Sequence, residues 1–490
     1  MLAFKPAIIQ YKQLNLLLLN NLLKAGAASA GLLTYFSKLF SRFDMKKKYL
    51  YNTVLTVVLI VVVSLFYIYK DKQDPIPPLK ERQGPISTTS EWLNTKAAIQ
   101  GLQKKLREKP NDLQSKLFLA LAYMQEARIT GEHPYYYPAA LKLIDDILDQ
   151  EPENPVMMYE ATVAKASVQL SLHQFTEALE TGKKALNINN RGAAVYGVLC
   201  DANVELGNYE EAIQMADQMT ALRPDLKSYS RVSYLREIHG DISGAIEAME
   251  LAAKAGFPGL EQTAWTKVTL GNLYEKTGEL QKAEFYYRQA LTEYDQYAFA
   301  LGGLGRIALK QNQQQKALQL FTQAANTLPE FTFQEELIRL YQQQGKTKVA
   351  QQTMAELLTG MEEDQETGHV VDLELANIYL ELQKDYKKSL QYALKEYQRR
   401  PENIDVNKAL AKAYYKLSNY PQAATHLQKA IRTNSQDVDL MCLNGLINYR
   451  LGKLATGENL IRKSLDMNPY QNSPFSQEGK SLLSASVSKI

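Results

Sequence analysis

Side chains able to do covalent or metal chemistry are few and dispersed in this chain. Its two cysteines, Cys200 and Cys442, lie far apart and outside any C-x-x-C pair. That removes a disulfide framework, a cysteine zinc site and an iron–sulfur cluster. The five histidines, His133, His173, His239, His369 and His426, show no metal-ligand spacing. No H-E-x-x-H, P-loop, G-x-S-x-G, C-x-x-C-H or EF-hand pattern occurs. Gly302-Gly303-Leu304-Gly305 has the composition of a phosphate cradle but lies inside a helical pattern with no strand before it. Glycine there reads as packing. The acidic pairs Asp145/Asp146 and Glu362/Glu363 read as solvated faces rather than general acids. The expectation is no enzyme, no metal and no cofactor.

What remains is binding chemistry. Basic and acidic side chains nearly balance, 56 against 53, so no global basic excess points to nucleic acid. Tyrosine is the outlier, at 30 against 14 Phe and 2 Trp. Gly131-Glu132-His133-Pro134-Tyr135-Tyr136-Tyr137-Pro138 reads as a loop inserted inside the first full repeat. Three successive tyrosines between prolines cannot all face one core. Either at least one ring is an exposed anchor for a partner, or the rings wedge neighbouring helices together. His133 could tune such a site with pH.

The elements that position these groups repeat along the chain. In Gly271-Asn272-Leu273-Tyr274 and onward to Ala290, a small residue, Tyr274, Gly278, Ala283, Tyr287 and Ala290 hold fixed offsets. Gly305, Ala308, Ala317, Phe321, Ala324 and Pro329 repeat the pattern, as do Ala411, Tyr414, Ala423, Leu427 and Ala430. Small residues on a first helix let a second approach closely. A glycine such as Gly207, Gly240, Gly278, Gly345 or Gly452 turns the chain at positive φ. Ala140, Ala178, Ala212, Ala245, Ala283, Ala317, Ala350, Ser389, Ala423 and Gly457 mark ten units spaced by 33–39 residues. The extra residues of the longer units fit best after the second helix, around Phe257 to Leu260 and Glu362 to Gly368.

This pattern resembles the tetratricopeptide repeat, a 34-residue helix–turn–helix unit, although its Trp position is mostly Tyr or Leu here. The resemblance implies an all-α, right-handed solenoid of about ten helix pairs, each touching mainly its neighbours, with no single core. It also implies an inner groove lined by first-helix positions. Carried over residue by residue, those positions hold Asp201, Glu205, Tyr234, Glu237, Asn272 and Glu275 in the early repeats. In the later repeats they hold Arg306, Lys310, Arg339, Lys412, Tyr415, Lys416, Tyr449 and Arg450. The groove would run from acidic to basic. Its cations, too far apart for local helix pairing, would await an acidic partner segment, unless they form only a solvated face. The family's chaperone-tail clamp is not expected: Lys408 sits at one of its offsets, but the required Asn residues do not follow.

Near the N-terminus, Tyr49 to Tyr69 is a run of 21 uncharged residues with Tyr at both ends. That length spans about 30 Å, one hydrocarbon core. Lys38, Arg42, Lys46, Lys47 and Lys48 precede it, which favours a cytoplasmic N-terminus and extracytoplasmic repeats. Residues 1–44 are an uncertain extension, and translation from Met45 would give a conventional charged start. Residues 71–90, with Pro75, Pro77, Pro78 and Pro85, read as a semi-rigid spacer. A capping helix would occupy 91–110, the array 111–470 and a polar tail 471–490, in which Lys480 to Ala485 could add a short cap. The expected protein is a membrane-anchored scaffold for protein partners, on the periplasmic side of a bacterial inner membrane. The competing reading is a permanent structural subunit of a larger envelope complex.

Overall fold

A computed structural model describes residues 76–82, 84–87 and 90–487, with a few helical residues between 56 and 64. Residues up to Pro77 and residues from Pro78 onward form two separate units; the account below concerns the second. The span Tyr49–Tyr69 falls mostly outside the described residues, as does the whole of 1–44. Among the described residues no helix is long and apolar enough to cross a membrane.

The described elements are helical, with no strand among them. Helix α1 (Ser90–Glu108) caps ten antiparallel helix pairs. Repeat 1 is α2 (Leu113–Thr130) with α3 (His133–Leu148), repeat 2 is α4 (Pro155–Ser171) with α5 (Phe175–Ile188), and repeat 3 is α6 (Ala193–Leu206) with α7 (Tyr209–Leu222). Repeat 4 is α8 (Leu226–Ile238) with α9 (Ile242–Ala255), and repeat 5 is α10 (Glu261–Lys276) with α11 (Leu280–Glu293). Repeats 6 and 7 are α12 (Ala298–Lys310) with α13 (Gln314–Thr327), then α14 (Phe331–Gln343) with α15 (Thr347–Glu366). Repeats 8 and 9 are α16 (Asp372–Glu381) with α17 (Tyr386–Arg399), then α18 (Ile404–Lys416) with α19 (Tyr420–Ala430). Repeat 10 is α20 (Val438–Arg450) with α21 (Leu454–Met467), and α22 (Pro474–Val487) follows it.

The ten small anchors sit on the second helix of each pair, and all are buried. Repeat 5 shows why size matters. A Cβ on Gly271 would lie 2.4 Å from the Tyr287 ring, and one on Gly303 of the next repeat 2.6 Å from the same ring. Tyr287 is thus the layer between repeats 5 and 6, and Ala283, one turn earlier on α11, has no exposed surface. Ala283→Leu is expected to overpack this layer and cost about 1–3 kcal/mol. A shifted denaturant midpoint would show it, with lost amide protection centred on repeats 4 to 6.

Three features differ from the sequence reading. The extra length near Glu362 is not a loop: it extends α15 to 20 residues. The cap in the tail is longer than expected: α22 starts at Pro474, and its Phe475 and Leu483 close the apolar end of repeat 10 against Cys442, Leu446 and Ile461. A terminal repeat needs such a cover. The spacer is not free either. Pro78 to Arg82 lies seated on repeat 1, and Gly84–Ser87 forms a 3-10 turn against α13.

The largest difference is a seam. Repeats do not touch their neighbours alone; the chain winds back onto itself after five of them. The turn inside repeat 1 meets the loop after repeat 6, where a Cβ on Gly131 would lie 3.3 Å from Leu328 and Pro329. In repeat 2, the Val370 N–H donates to the Leu172 carbonyl (3.0 Å). In repeat 3, Asn403 Nδ2 donates to the Glu205 carbonyl (2.9 Å) and the Ile404 N–H to the Tyr209 hydroxyl (3.0 Å). Gly240 of repeat 4 lies against the Asn434 carbonyl. Asn468 donates to the carbonyls of Glu275 and Lys276 in repeat 5, at 3.2 and 3.1 Å. Each turn in repeats 1 to 5 is therefore held by the loop five repeats later.

Candidate functional site: the inner groove

First helices of successive repeats lie side by side, so a groove position faces its counterpart one repeat on. That proximity pairs the charges. Arg306 donates to Glu275 (3.0 Å) and to Asn272 Oδ1 (2.7 Å), and Lys310 reaches the same Glu275 at 2.7 Å. The Tyr287 hydroxyl completes the group, 2.7 Å from Glu275 and 2.8 Å from Asn272. Burial alone would raise the Glu275 carboxyl, but Arg306 and Lys310 outweigh it and hold it below its ordinary value. Glu237 pairs with Lys276 and Asp201 with Arg231.

The later repeats follow the same rule. Arg339 donates to Glu381 (2.7 Å). Lys412 is buried between Glu381 and Asp439, at 3.5 and 3.2 Å, and Lys408 pairs with Asp437. Lys416 and Arg450 both reach Glu478 of α22, at 3.2 and 2.9 Å, and the Tyr415 hydroxyl donates to that carboxylate at 2.6 Å. The expected reservoir of free cations is therefore corrected: Arg306, Arg339, Lys412, Lys416 and Arg450 each have an intramolecular carboxylate. Local helix spacing missed the strongest of these pairs because the partners come from an adjacent repeat, before or after, or from α22.

The structure also corrects the tyrosine loop. His133 to Pro138 is the first part of α3, not an insertion, with Pro134 in its first turn. Tyr136 is fully buried against Tyr123, with ring centres 5.5 Å apart, and its hydroxyl accepts the Lys80 N–H (3.1 Å). Tyr135 donates to the Pro78 carbonyl (2.6 Å) and carries Lys80 4.3 Å above its ring. Tyr137 is buried with its ring stacked on His133. Tyr135 and Tyr136 thus hold the chain's own segment from Pro78, while Tyr137 packs within the helix array.

Two openings remain inside the winding. One, of about 440 Å³, is lined by His173, Phe175, Glu335, Glu374 and Arg400. The other, of about 460 Å³, is more apolar, lined by Tyr234, Ile238, Ile404, Val438 and Met467. They share Asp405 and Lys408. Of the residues carried over, Tyr234 and Glu237 reach the second opening, and Glu205 and Lys412 the first. Glu335, Glu374 and Glu381 were not among the sequence candidates. Reading first-helix charges one repeat ahead would have found Glu381, but α22 gave no signal for Glu478.

Burial raises the Glu335 carboxyl to about 7, against the pull of Arg339, whose nearest nitrogen is 3.8 Å away. Such a group stabilises the fold below its ordinary value of 4.5, and that contribution is lost as pH rises through about 7. Glu335→Gln is expected to gain melting temperature relative to the native chain at pH 8 but not at pH 4.5. Equal differences at both pH values would place Glu335 in open water.

Profiles of the tetratricopeptide repeat match residues 169–237, 268–330 and 408–472. No curated protein matches the chain. Among solved structures, a thermophilic TPR protein from Thermus thermophilus is 24% identical, covering 37% of this chain and 91% of its own, with a TM-score of 0.32. A tetratricopeptide repeat protein from Parabacteroides merdae is 19% identical, covering 52% of this chain and 98% of its own, with a TM-score of 0.31. The human IFIT1 dimer with PPP-AAAA is 14% identical, covering 77% of this chain and 88% of its own, with a TM-score of 0.42. None superposes closely, and none bears on function. The described residues form an all-helical array of paired helices, and three stretches of it match the tetratricopeptide repeat.

Proposed function

We propose that this repeat protein is a non-catalytic scaffold that holds a protein or peptide partner inside its winding, anchored to a membrane through Tyr49 to Tyr69. The two openings that share Asp405 and Lys408 carry the reading. They remain after neighbouring repeats have paired their charges, and they offer apolar wall, aromatic surface and polar groups together, as a peptide site requires. Because the groove cations are already paired, the partner segment has mixed character rather than an acidic one. The basic flank before Tyr49 supports a cytoplasmic N-terminus and repeats on the far side, in a bacterial inner membrane.

A photo-crosslinker at Tyr234, which is 39% exposed and lines an opening, tests the groove against one at Phe285, which is 54% exposed on a second helix. A partner adduct from Tyr234 and not from Phe285 is expected. Equal capture from both, or capture from Phe285 alone, would overturn the groove. A reporter active only in the cytoplasm, fused after Pro85, should stay dark; strong activity would reverse the orientation.

A further inference from the structure

Three of the chain's five histidines meet at one rung of the seam, although they stand at positions 133, 173 and 369. The His173 and His369 ring centres are 4.5 Å apart, and those of His369 and His133 6.5 Å. His173 Nδ1 lies 2.8 Å from the Val370 carbonyl, so it carries the hydrogen and donates. His369 Nδ1 lies 2.8 Å from Asp364 Oδ2 and donates likewise. Both neutral rings then carry their lone pair on Nε2. That atom of His369 is buried with no hydrogen-bond partner. The backbone bond from Val370 to Leu172, and the Gln174 amide donating to the Gly368 carbonyl (2.9 Å), close the rung around them.

We propose that His133, His173 and His369 form a proton-operated latch on the seam, closed while the rings are neutral and released when more than one of them is charged. Asp364 can balance a single cation. His369 stands between the other two rings, 4.5 Å from the His173 centre and 6.5 Å from that of His133, so charges on the cluster lie close to one another. The other charged groups facing the cluster are Glu132 beside His133, Glu374 at 3.7 Å from His173, Glu330 at the start of α14, and Arg400, which adds repulsion. Burial holds His133 and His173 below their ordinary values, so both take up protons when the rung opens. Opening is then favoured as pH falls below the ordinary histidine range of about 6.5, by at most about tenfold per pH unit for each proton. Glu330, held above its ordinary value by burial and by Asp364, titrates with the opposite sign. The latch stands whether or not the groove holds a partner. Since His173 also lines the 440 Å³ opening, release would widen it.

Amide hydrogen exchange on the full chain, corrected for the intrinsic pH dependence of exchange, tests this at pH 7.5 and 5.5. The Val370 N–H reports the rung, and the Ala283 N–H, which donates to Glu279 within repeat 5, is the internal reference. Protection of Val370 relative to Ala283 is expected to fall at least about tenfold. His133→Gln and His369→Gln should flatten that fall, while Glu330→Gln should leave it or steepen it. A constant ratio in the native chain would overturn the latch, as would an undiminished fall in both histidine variants. If the variants fail to fold, the native chain's ratio still decides.

Discussion

Replacing Arg82 by alanine is expected to cost about 3–5 kcal/mol, the penalty for leaving one partner of a buried ion pair alone. Arg82 precedes α1, where the sequence reads as spacer, yet its side chain has no exposed surface. It donates to Glu126 at 2.9 and 2.5 Å and to Glu91 at 2.7 Å, and it lies 4.6 Å from the Trp92 ring. Glu126 is as fully enclosed. With Arg82 gone, that carboxylate must take up a proton or draw in water, and the segment from Pro78 loses its fastening to repeat 1. Replacing both residues, Arg82→Met with Glu126→Leu, should recover most of the loss, because the desolvation of both charges disappears together. Equilibrium unfolding in denaturant reads both variants. A loss below about 1 kcal/mol for Arg82→Ala would mean the segment is not part of the cooperative unit.

Gly207→Val is expected to split the seam while leaving the repeats folded. Gly207 has φ of 85°, which costs a residue with a Cβ about 1–2 kcal/mol. A Cβ there would also lie 2.4 Å from the Glu402 carbonyl carbon and oxygen, a backbone neighbour that cannot swing aside. Overpacking of this kind adds about 1–3 kcal/mol. Strain at a contact between repeats 3 and 8 is relieved most cheaply by separating them. Exchange of the Ile404 amide, which donates to the Tyr209 hydroxyl, should then accelerate far more than exchange inside either helix pair. Uniform acceleration across α6 and α7 would show instead that the turn itself had unravelled.

Both predictions concern features that were hard to read in advance, and the reasons are physical. The ten small anchors were legible because each must fit against a helix only one turn of chain away. A 34-residue period therefore prints itself on the sequence at Ala283, Ala317 and Ala423. The turn glycines were legible for the same reason, although His173, Asn312, Lys384 and Ser418 take the same positive φ without being glycine. The tightness of the winding, and with it the seam, was not legible. It is the sum of small rotations between repeats, none of which leaves a residue signature of its own. The groove charges were named correctly as first-helix residues, yet their state was misjudged. Arg339 has Glu335 and Glu336 at 3.8 and 4.0 Å on its own helix, yet its hydrogen-bonded carboxylate is Glu381, one repeat ahead. The tyrosines of α3 were misread because their cover, Pro78 to Arg82, looks from its prolines like open linker.

A chain clasped to itself five units ahead cannot lengthen by one unit. Open arrays grow by duplicating a repeat, since each unit recognises only the one before it. Here a repeat inserted between the third and the eighth would present Gly207 to the loop at Gly368 and Val370 instead of the one at Arg400 and Asn403. These loops are not interchangeable: one brings a histidine, another an arginine that pairs with Glu205, and a third the Asn468 amide. The seam therefore sets the number of repeats much as a thread pitch sets which nut will turn on a bolt. Lineages of this protein should vary in loops and tails long before they vary in the count of helix pairs.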